Sequence, residues 1–488
     1  MVLDVAVVGS GFGGIGAAIR LRQVGVTDVE LFERASNLGG TWRDNTYPGC
    51  RCDVSSNLYS FSFAPNPAWA NSYSYQPDIW RYLHTVADRY DVRRLINFNH
   101  EVLDVSFDAG DGLWRLTTSQ GQCAARCVIL ATGGLAEPRP PDIKGLSDFA
   151  GPVMHTARWD DAIDLRAKRV GVIGTGASAI QVVPQIAPSV DSLELFQRTP
   201  AWILPHFGHA VLERTQRLYA AAPPAQQLVR AWDYWRRELM VLGFVKDPRR
   251  MVKAEALARE HLERQVSDPV LRERLTPTYR LGCKRVLISN DFYPSLSRDN
   301  VRLVTGPIAT VEPTGLRTAD GELHELDVVI AATGFFVTDN PMATKVRGAF
   351  GEVLADALRG DLANYKGTAF PGFPNLFMLG GPNTALGHSS VIFMLESQLN
   401  YVSDAVKVAL SSGSLVEPKA HLAAKWTSDV RARLPATVWG TGCASWYLNE
   451  HGVNTTLWPD FTFNFRRATR HFDPRDHLVV ARPAPRTA

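Results

Sequence analysis

The chain has 488 residues, 45% apolar and 21% charged, enough for a large core and suggestive of about three domain-sized units. A net charge of +3 is close to neutral, so neither nucleic acid nor an anionic membrane is expected as a partner. Six cysteines, with no CxxC and no His or Cys cluster at zinc spacing, argue against a disulfide framework and a metal centre. Stretches 170–190 and 367–395 lack Asp, Glu, Lys and Arg, but Pro184, Pro188, Pro371, Pro374 and Pro382 break them, so neither is expected to span a membrane. The N-terminal residues lack a basic signal-peptide region, and a cytoplasmic setting is expected.

Residues 2–33 read as a βαβ unit: a buried apolar strand at 5–8, a glycine turn, a helix at 15–24 and a second strand at 29–32. In the turn, Gly9 permits the sharp bend, Gly11 lets the backbone approach a pyrophosphate, and Gly14 lets helix and strand pack closely. Glu33 follows Gly14 by 19 residues, where an acid bonds a ribose hydroxyl, so an adenine dinucleotide is expected here. Gly39-Gly40-Thr41-Trp42 and the run from Tyr47 to Asp53 are loop chemistry. Asp53 reads either as a turn residue or as a carboxylate beside the cofactor.

The apolar strand at 128–131, ending in Thr132-Gly133, recurs at 328–332 before Thr333-Gly334, which suggests a first domain interrupted and later resumed. Between them, His155 and Trp159 stand four apart and would share a face if this stretch were helical. A second βαβ unit starts at residue 169, with Gly174, Gly176 and Ser178 in its turn. After its second strand the acid is replaced by Gln197-Arg198-Thr199, and an Arg there suits the 2′-phosphate of NADP over NAD.

From about 211 to 281 the composition shifts to helix formers. Leu228, Trp232, Trp235, Leu239 and Leu242 fall on one helical face that reads as core, in an insertion able to wall a substrate pocket. Lys284 and Arg285 close it and by composition alone are surface charges. A strand at 373–379 runs into Gly380-Gly381, and a helix is expected at 390–410. Phe461, Phe463 and Phe465 alternate as on a strand, and the tail after Asp473 reads as loose. The fold class is α/β: two dinucleotide-binding Rossmann-like domains with a helical insertion. Residues 1–148 form the first part of one domain, 149–335 the second domain and 336–488 the return segment of the first.

With these pieces in place, the chain resembles the Baeyer–Villiger monooxygenases. Phe149, Gly151, His155, Trp159 and Asp160 match the family pattern FxGxxxHxxxW(P/D), and Gly39 to Asp53 matches GGxWxxxx(F/Y)PGxxxD. The sister flavin-containing monooxygenases carry Tyr or Phe where this chain has Trp159, so the indole favours the ketone-oxidising branch.

The resemblance implies FAD at Gly9, Gly11, Gly14 and Glu33, with Gly40, Thr41, Trp42, Asp53 and Tyr59 completing that site. It implies NADPH at the Gly174 turn, with Arg198 and Thr199 on the 2′-phosphate, and it maps a mobile family Trp onto Trp446. Arg285, paired with Lys284, would be the catalytic arginine over the flavin, held in place by Asp53. A guanidinium keeps its proton, so it stabilises negative charge on oxygen without quenching it. The implied reaction takes NADPH, O2 and a small ketone and inserts one oxygen beside the carbonyl. Three alternatives are heteroatom oxygenation, a flavin disulfide reductase, which needs a redox cysteine pair not evident here, and a non-catalytic NADP sensor.

Overall fold

In the computed structural model, residues 2–360 and 362–483 are described. Two sheets organise them. The first has eight strands: Val346–Arg347, Val102–Asp108, Leu113–Thr118, Gly121–Leu130, Val2–Val8, Val29–Glu33 and Ile96–Phe98 in spatial order, with Leu376–Met378 pairing in parallel to Gly121–Leu130. The second is wholly parallel, in the order Val301–Val304, Ser192–Phe196, Arg169–Ile173, Val328–Ala331 and Val153–His155. Helices cover both faces of a parallel sheet, so its strands are continuous apolar runs, and Val328 to Ala331 is buried throughout.

The two repeated apolar strands therefore serve different sheets. Gly121–Leu130 lies beside Val2–Val8, and Val328–Ala331 lies beside Arg169–Ile173. The first sheet takes up its late strands only at Val346–Arg347 and Leu376–Met378. The long helix Val391–Ser411 then packs on Phe12–Gln23, where Gly16 leaves room for Leu399.

Several sequence expectations need correction. His155 ends the strand Val153–His155 and Trp159 follows a single 3-10 turn, so they share no helical face. Trp159 packs against the main core, Phe149 is buried, and a Cβ on Gly151 would stand 2.3 Å from the Asp327 carbonyl oxygen. Phe463 and Phe465 sit on the helix Thr462–Ala468, not a strand; Phe465 is buried while Phe463 is exposed. His477–Ala481 is not loose but pairs antiparallel with Ser414–Pro418, and residues 484–488 lie outside the described residues.

The insertion helix Pro223–Glu238 is inverted relative to its pattern. Leu228, Trp232, Trp235 and Leu239 are 72%, 70%, 55% and 63% exposed, so the stripe read as core faces outward. The opposite, polar face is the inner one. Gln226 donates to Asn66 O at 2.7 Å, Arg230 to Ser60 O at 3.0 Å and Arg237 to Asp53 O at 3.0 Å. The 53–66 segment contains no strand to pair its carbonyls, and these side chains supply the donors.

Asn375 stitches the return segment to the first sheet. This buried residue has φ 56°. Its amide donates to Arg126 O and Ser414 O, both at 3.1 Å, and accepts from Val416 N at 2.8 Å. Asn375→Ala leaves two buried backbone groups and the part-buried Arg126 carbonyl unpaired, at about 1–3 kcal/mol for each buried group, so a loss of about 3 kcal/mol is expected. Thermal unfolding of the variant reads this as a midpoint lower by several degrees; an unchanged midpoint removes Asn375 as the stitch.

Candidate active site

Each glycine turn is built by a strand from across its own sheet. A Cβ on Gly9 would stand 2.7 Å from Ala131 O, and one on Gly174 would stand 2.7 Å from Ala332 O. Both residues have positive φ, 102° and 108°, which only glycine adopts freely. At Gly14 a Cβ would lie 1.9 Å from Gly9 O, so helix and strand close on each other there. The helices that follow, Phe12–Gln23 and Ala179–Ile186, have no side-chain cap and no acid in the first turn. Their N-terminal N–H groups are free for an anion, as a pyrophosphate requires.

Around the first turn, Gly11 faces Gly40, and Gly39 N donates to Ser10 O at 3.1 Å, so the two glycine loops meet. Glu33 is buried at the strand end, where Oε2 accepts from Ser10 N and Oγ at 3.1 and 2.7 Å and Oε1 accepts from Arg43 at 2.7 Å. The Trp42 indole is buried and donates to Tyr59 Oη at 3.1 Å, while Thr41 Oγ1 donates to Leu135 O at 3.3 Å. Around the second turn, Thr175 Oγ1 donates to Thr199 O at 3.0 Å, bringing Arg198 and Thr199 to the glycines. Arg198 is exposed and forms no ion pair or hydrogen bond among the described residues, and Lys284 feels its charge. Burial first, then that neighbouring cation, lowers the Lys284 pKa.

The loop from Tyr47 to Asp53 bridges the two turns. Tyr47 Oη donates to Gln181 Oε1 at 2.9 Å and Gln181 Nε2 donates to Arg51 O at 3.1 Å, docking the loop on helix Ala179–Ile186. At its end Asp53 meets Arg285. Nε and one terminal nitrogen of Arg285 donate to Asp53 Oδ2 at 3.0 and 2.6 Å, and the other terminal nitrogen donates to Leu386 O at 2.9 Å. Of the five guanidinium N–H groups, two are left without a protein partner. Burial would push the Asp53 carboxyl up, but the Arg285 charge and hydrogen bond, with Arg237 behind, hold it below its ordinary range. Burial would likewise lower Arg285, and the Asp53 charge more than offsets it, raising the guanidinium further.

Four neighbours escaped the sequence reading. Arg237 donates to Asp53 O and, at 3.1 Å, to His388 O, bracing two walls of the site from the inner face of the insertion helix. His388 is buried with both ring nitrogens lacking a hydrogen bond, its Nε2 lying 3.6 Å from buried Glu238. Tyr447 is buried, its hydroxyl is unpartnered, and its pKa is pushed up to about 12 by burial, the Arg285 charge pulling the other way. It, rather than the 44% exposed Trp446, turns inward toward Arg285. The only sequence signals were a helical register opposite to the apolar stripe for Arg237 and Glu238, and adjacency to Trp446 for Tyr447. His155 stands apart at the edge of the second sheet, its Nδ1 accepting from Ala157 N at 3.1 Å; burial and Arg158 lower its pKa to about 4.

Asp53 sits below its ordinary pKa, so the stability it contributes is complete above the unfolded value and is lost as pH falls through the folded one. Asp53→Asn is expected to cost about 1–3 kcal/mol at neutral pH, as the pair is about a quarter exposed. The gap in unfolding midpoint between wild type and variant should close as pH falls below about 4. A gap constant down to pH ~2 would show that the charge pair contributes nothing.

Known proteins resemble this chain along nearly its whole length. Residues 6–204 match the pyridine nucleotide-disulphide oxidoreductase family. A Baeyer–Villiger monooxygenase of Streptomyces coelicolor is 46% identical over 484 residues, covering 99% of this chain and 93% of the relative. Two solved structures are each 28% identical. A complex of OTEMO with FAD and NADP has a TM-score of 0.88 and covers 98% of this chain and 99% of its own. A cyclohexanone monooxygenase from Rhodococcus bound to NADP+ has a TM-score of 0.86 and covers 99% of each chain. With its fold, its paired glycine turns and relatives of this identity along nearly its whole length, the chain belongs to the Baeyer–Villiger monooxygenase family.

Proposed function

We propose that this protein uses NADPH and O2 to insert one oxygen atom beside the carbonyl of a small ketone, giving an ester or lactone, with Arg285 as the catalytic residue. The observation that carries this reading is the guanidinium held on Asp53 and Leu386 O with two N–H groups to spare. FAD would lie along the first glycine turn, held by Gly9, Gly11, Gly14, Glu33, Gly40, Thr41, Trp42 and Tyr59. NADPH would lie along the second, held by Gly174, Gly176, Ser178, Thr199, Arg198 and Lys284. Two uncapped helix starts and the unpaired Arg198 fit two such cofactors. When bound, reduced FAD supplies the activation of oxygen.

The chain's own part is placement and charge. Arg285 cannot give up its proton at working pH, so its free N–H groups stabilise negative charge on oxygen as it adds to the carbonyl. Asp53 fixes the plane of the guanidinium, and the Leu386 carbonyl and Arg237 prevent it from swinging away. Tyr447, buried near Arg285, adds an apolar ring that helps to exclude water. The cytoplasm is the proposed setting; no helix among the described residues is long and apolar enough to cross a membrane.

Purified enzyme loaded with FAD, given NADPH and a panel of small ketones, should yield products heavier by one oxygen. NADPH oxidation yielding only hydrogen peroxide with ketones, but oxygenated sulfides or amines, would transfer the reading to heteroatom chemistry. Arg285→Ala should still reduce flavin with NADPH within about twofold in rate, yet lose ester formation by about 100-fold or more. Ester formation at the wild-type rate would remove Arg285 from the mechanism. Arg198→Ala should raise the KM for NADPH about 10- to 100-fold and leave the KM for NADH nearly unchanged. Equal changes for both coenzymes would place the 2′-phosphate elsewhere.

A further inference from the structure

One covalent bond in the molecule runs against expectation. Cys283 and Cys443, 160 residues apart, form a disulfide with Cα atoms 6.2 Å apart. Two cysteines so distant carry no spacing signal, so the expectation of no disulfide was wrong. Its position is specific. Cys283 immediately precedes Lys284 and Arg285; Cys443 lies three residues before Trp446 and four before Tyr447. The bond thus joins the arginine segment to the loop that carries the inward-facing phenol.

Among the described residues, that loop makes no hydrogen bond to a distant part of the chain. Among the described residues, the hydrogen bonds made by 441–446 stay within 437–448: Thr441 N and Oγ1 to Val438 O, Tyr447 N to Ser445 Oγ and Leu448 N to Ser445 O. Thr441, Gly442, Ala444 and Trp446 are exposed, and among the described residues the Trp446 ring meets that of its neighbour Tyr447 at a tilt of 56°. The remaining chain to which 441–446 is fastened is reached through Cys443. The other four cysteines form no bond: Cys50, Cys52 and Cys127 are buried, Cys123 is partly exposed, and burial raises all four thiols. Cys283 is fully buried while Cys443 is only partly buried, so an external reagent meets Cys443 first.

We propose that Cys283 and Cys443 are a redox-modification site whose oxidant is hydrogen peroxide and whose disulfide latches the 441–446 loop over Arg285. A disulfide in a reducing compartment is as a rule redox-sensing or catalytic rather than a permanent staple. Oxidation is balanced. The Cys443 thiolate attacks one peroxide oxygen, giving a sulfenic acid and one water after proton uptake; the Cys283 thiolate then attacks that sulfur and a second water leaves. Two thiols lose two electrons, and the O–O bond gains them. Reduction reverses it: an external dithiol attacks Cys443, Cys283 leaves as thiolate, and the dithiol's second sulfur releases Cys443. Hydrogen peroxide is also what escapes from an oxygenase whose site admits water, so an open loop generates the reagent that closes it. This last link rests on the oxygenase reading above.

The test uses the FAD-loaded enzyme before and after a dithiol, and again after a small excess of hydrogen peroxide. Thiols titrated after denaturation should number four, six and four, the six cysteines less the bonded pair. Deuterium uptake in 441–446 should rise several-fold on reduction and fall again on reoxidation. With an accepted ketone, the fraction of NADPH lost to hydrogen peroxide should rise several-fold in the reduced enzyme, while the rate of flavin reduction holds. Cys443→Ser should match the reduced wild type and ignore peroxide. Six thiols after peroxide, or uptake and coupling indifferent to the thiol count, overturn the proposal. If no ketone is oxygenated in either state, the oxygenase reading fails, while thiol count and deuterium uptake still decide the latch.

Discussion

The contact between Arg285 and Asp53 draws together segments from three far-separated parts of the chain. Asp53 arrives on a loop that crosses from the first glycine turn to the helix behind the second. Arg285 arrives at the end of the helical insertion, and the Leu386 carbonyl on the return segment takes the third donor. A guanidinium and a carboxylate about three-quarters withdrawn from water are stable there only where each is fixed against partners. Each partner therefore depends on the other being in place, and the site exists only when the whole chain has folded.

The insertion shows the same dependence in its orientation. An amphipathic helix ordinarily buries its apolar stripe, because that is the larger gain. Here Gln226, Arg230 and Arg237 face inward, because the 53–66 segment presents carbonyls that no strand satisfies, and an unpaired buried carbonyl costs about 1–3 kcal/mol. Arg237 then serves two purposes at once: it satisfies Asp53 O and it adds a second positive charge behind the Asp53 carboxylate. The helix wall is thereby also part of the electrostatics of the site.

The disulfide and the ion pair divide the labour of holding the arginine. Asp53 and Leu386 O set the direction of the guanidinium, while the bond from Cys283 to Cys443 ties the preceding residue to the loop bearing Trp446 and Tyr447. One is a charge contact that persists across neutral pH, and the other is a covalent contact whose presence depends on the redox surroundings.

The two glycine turns, Glu33 at the end of its strand, and the Arg198 substitution were legible in the sequence because they are local: strand, turn and helix follow in a few dozen residues, and the backbone itself imposes the spacing. The long motif from Gly39 to Asp53 was legible for the same reason. Arg237, His388, Tyr447 and the Cys283–Cys443 bond were not, since their meaning lies in partners more than a hundred residues away and in which face of a helix turns inward. Periodicity reports that a helix has two faces but not which one finds a polar neighbour. Sequence by itself determined two strand–glycine turn–helix units, their order and a candidate arginine; only the tertiary structure decided what surrounds that arginine, because desolvation and hydrogen-bond satisfaction are properties of the packed chain.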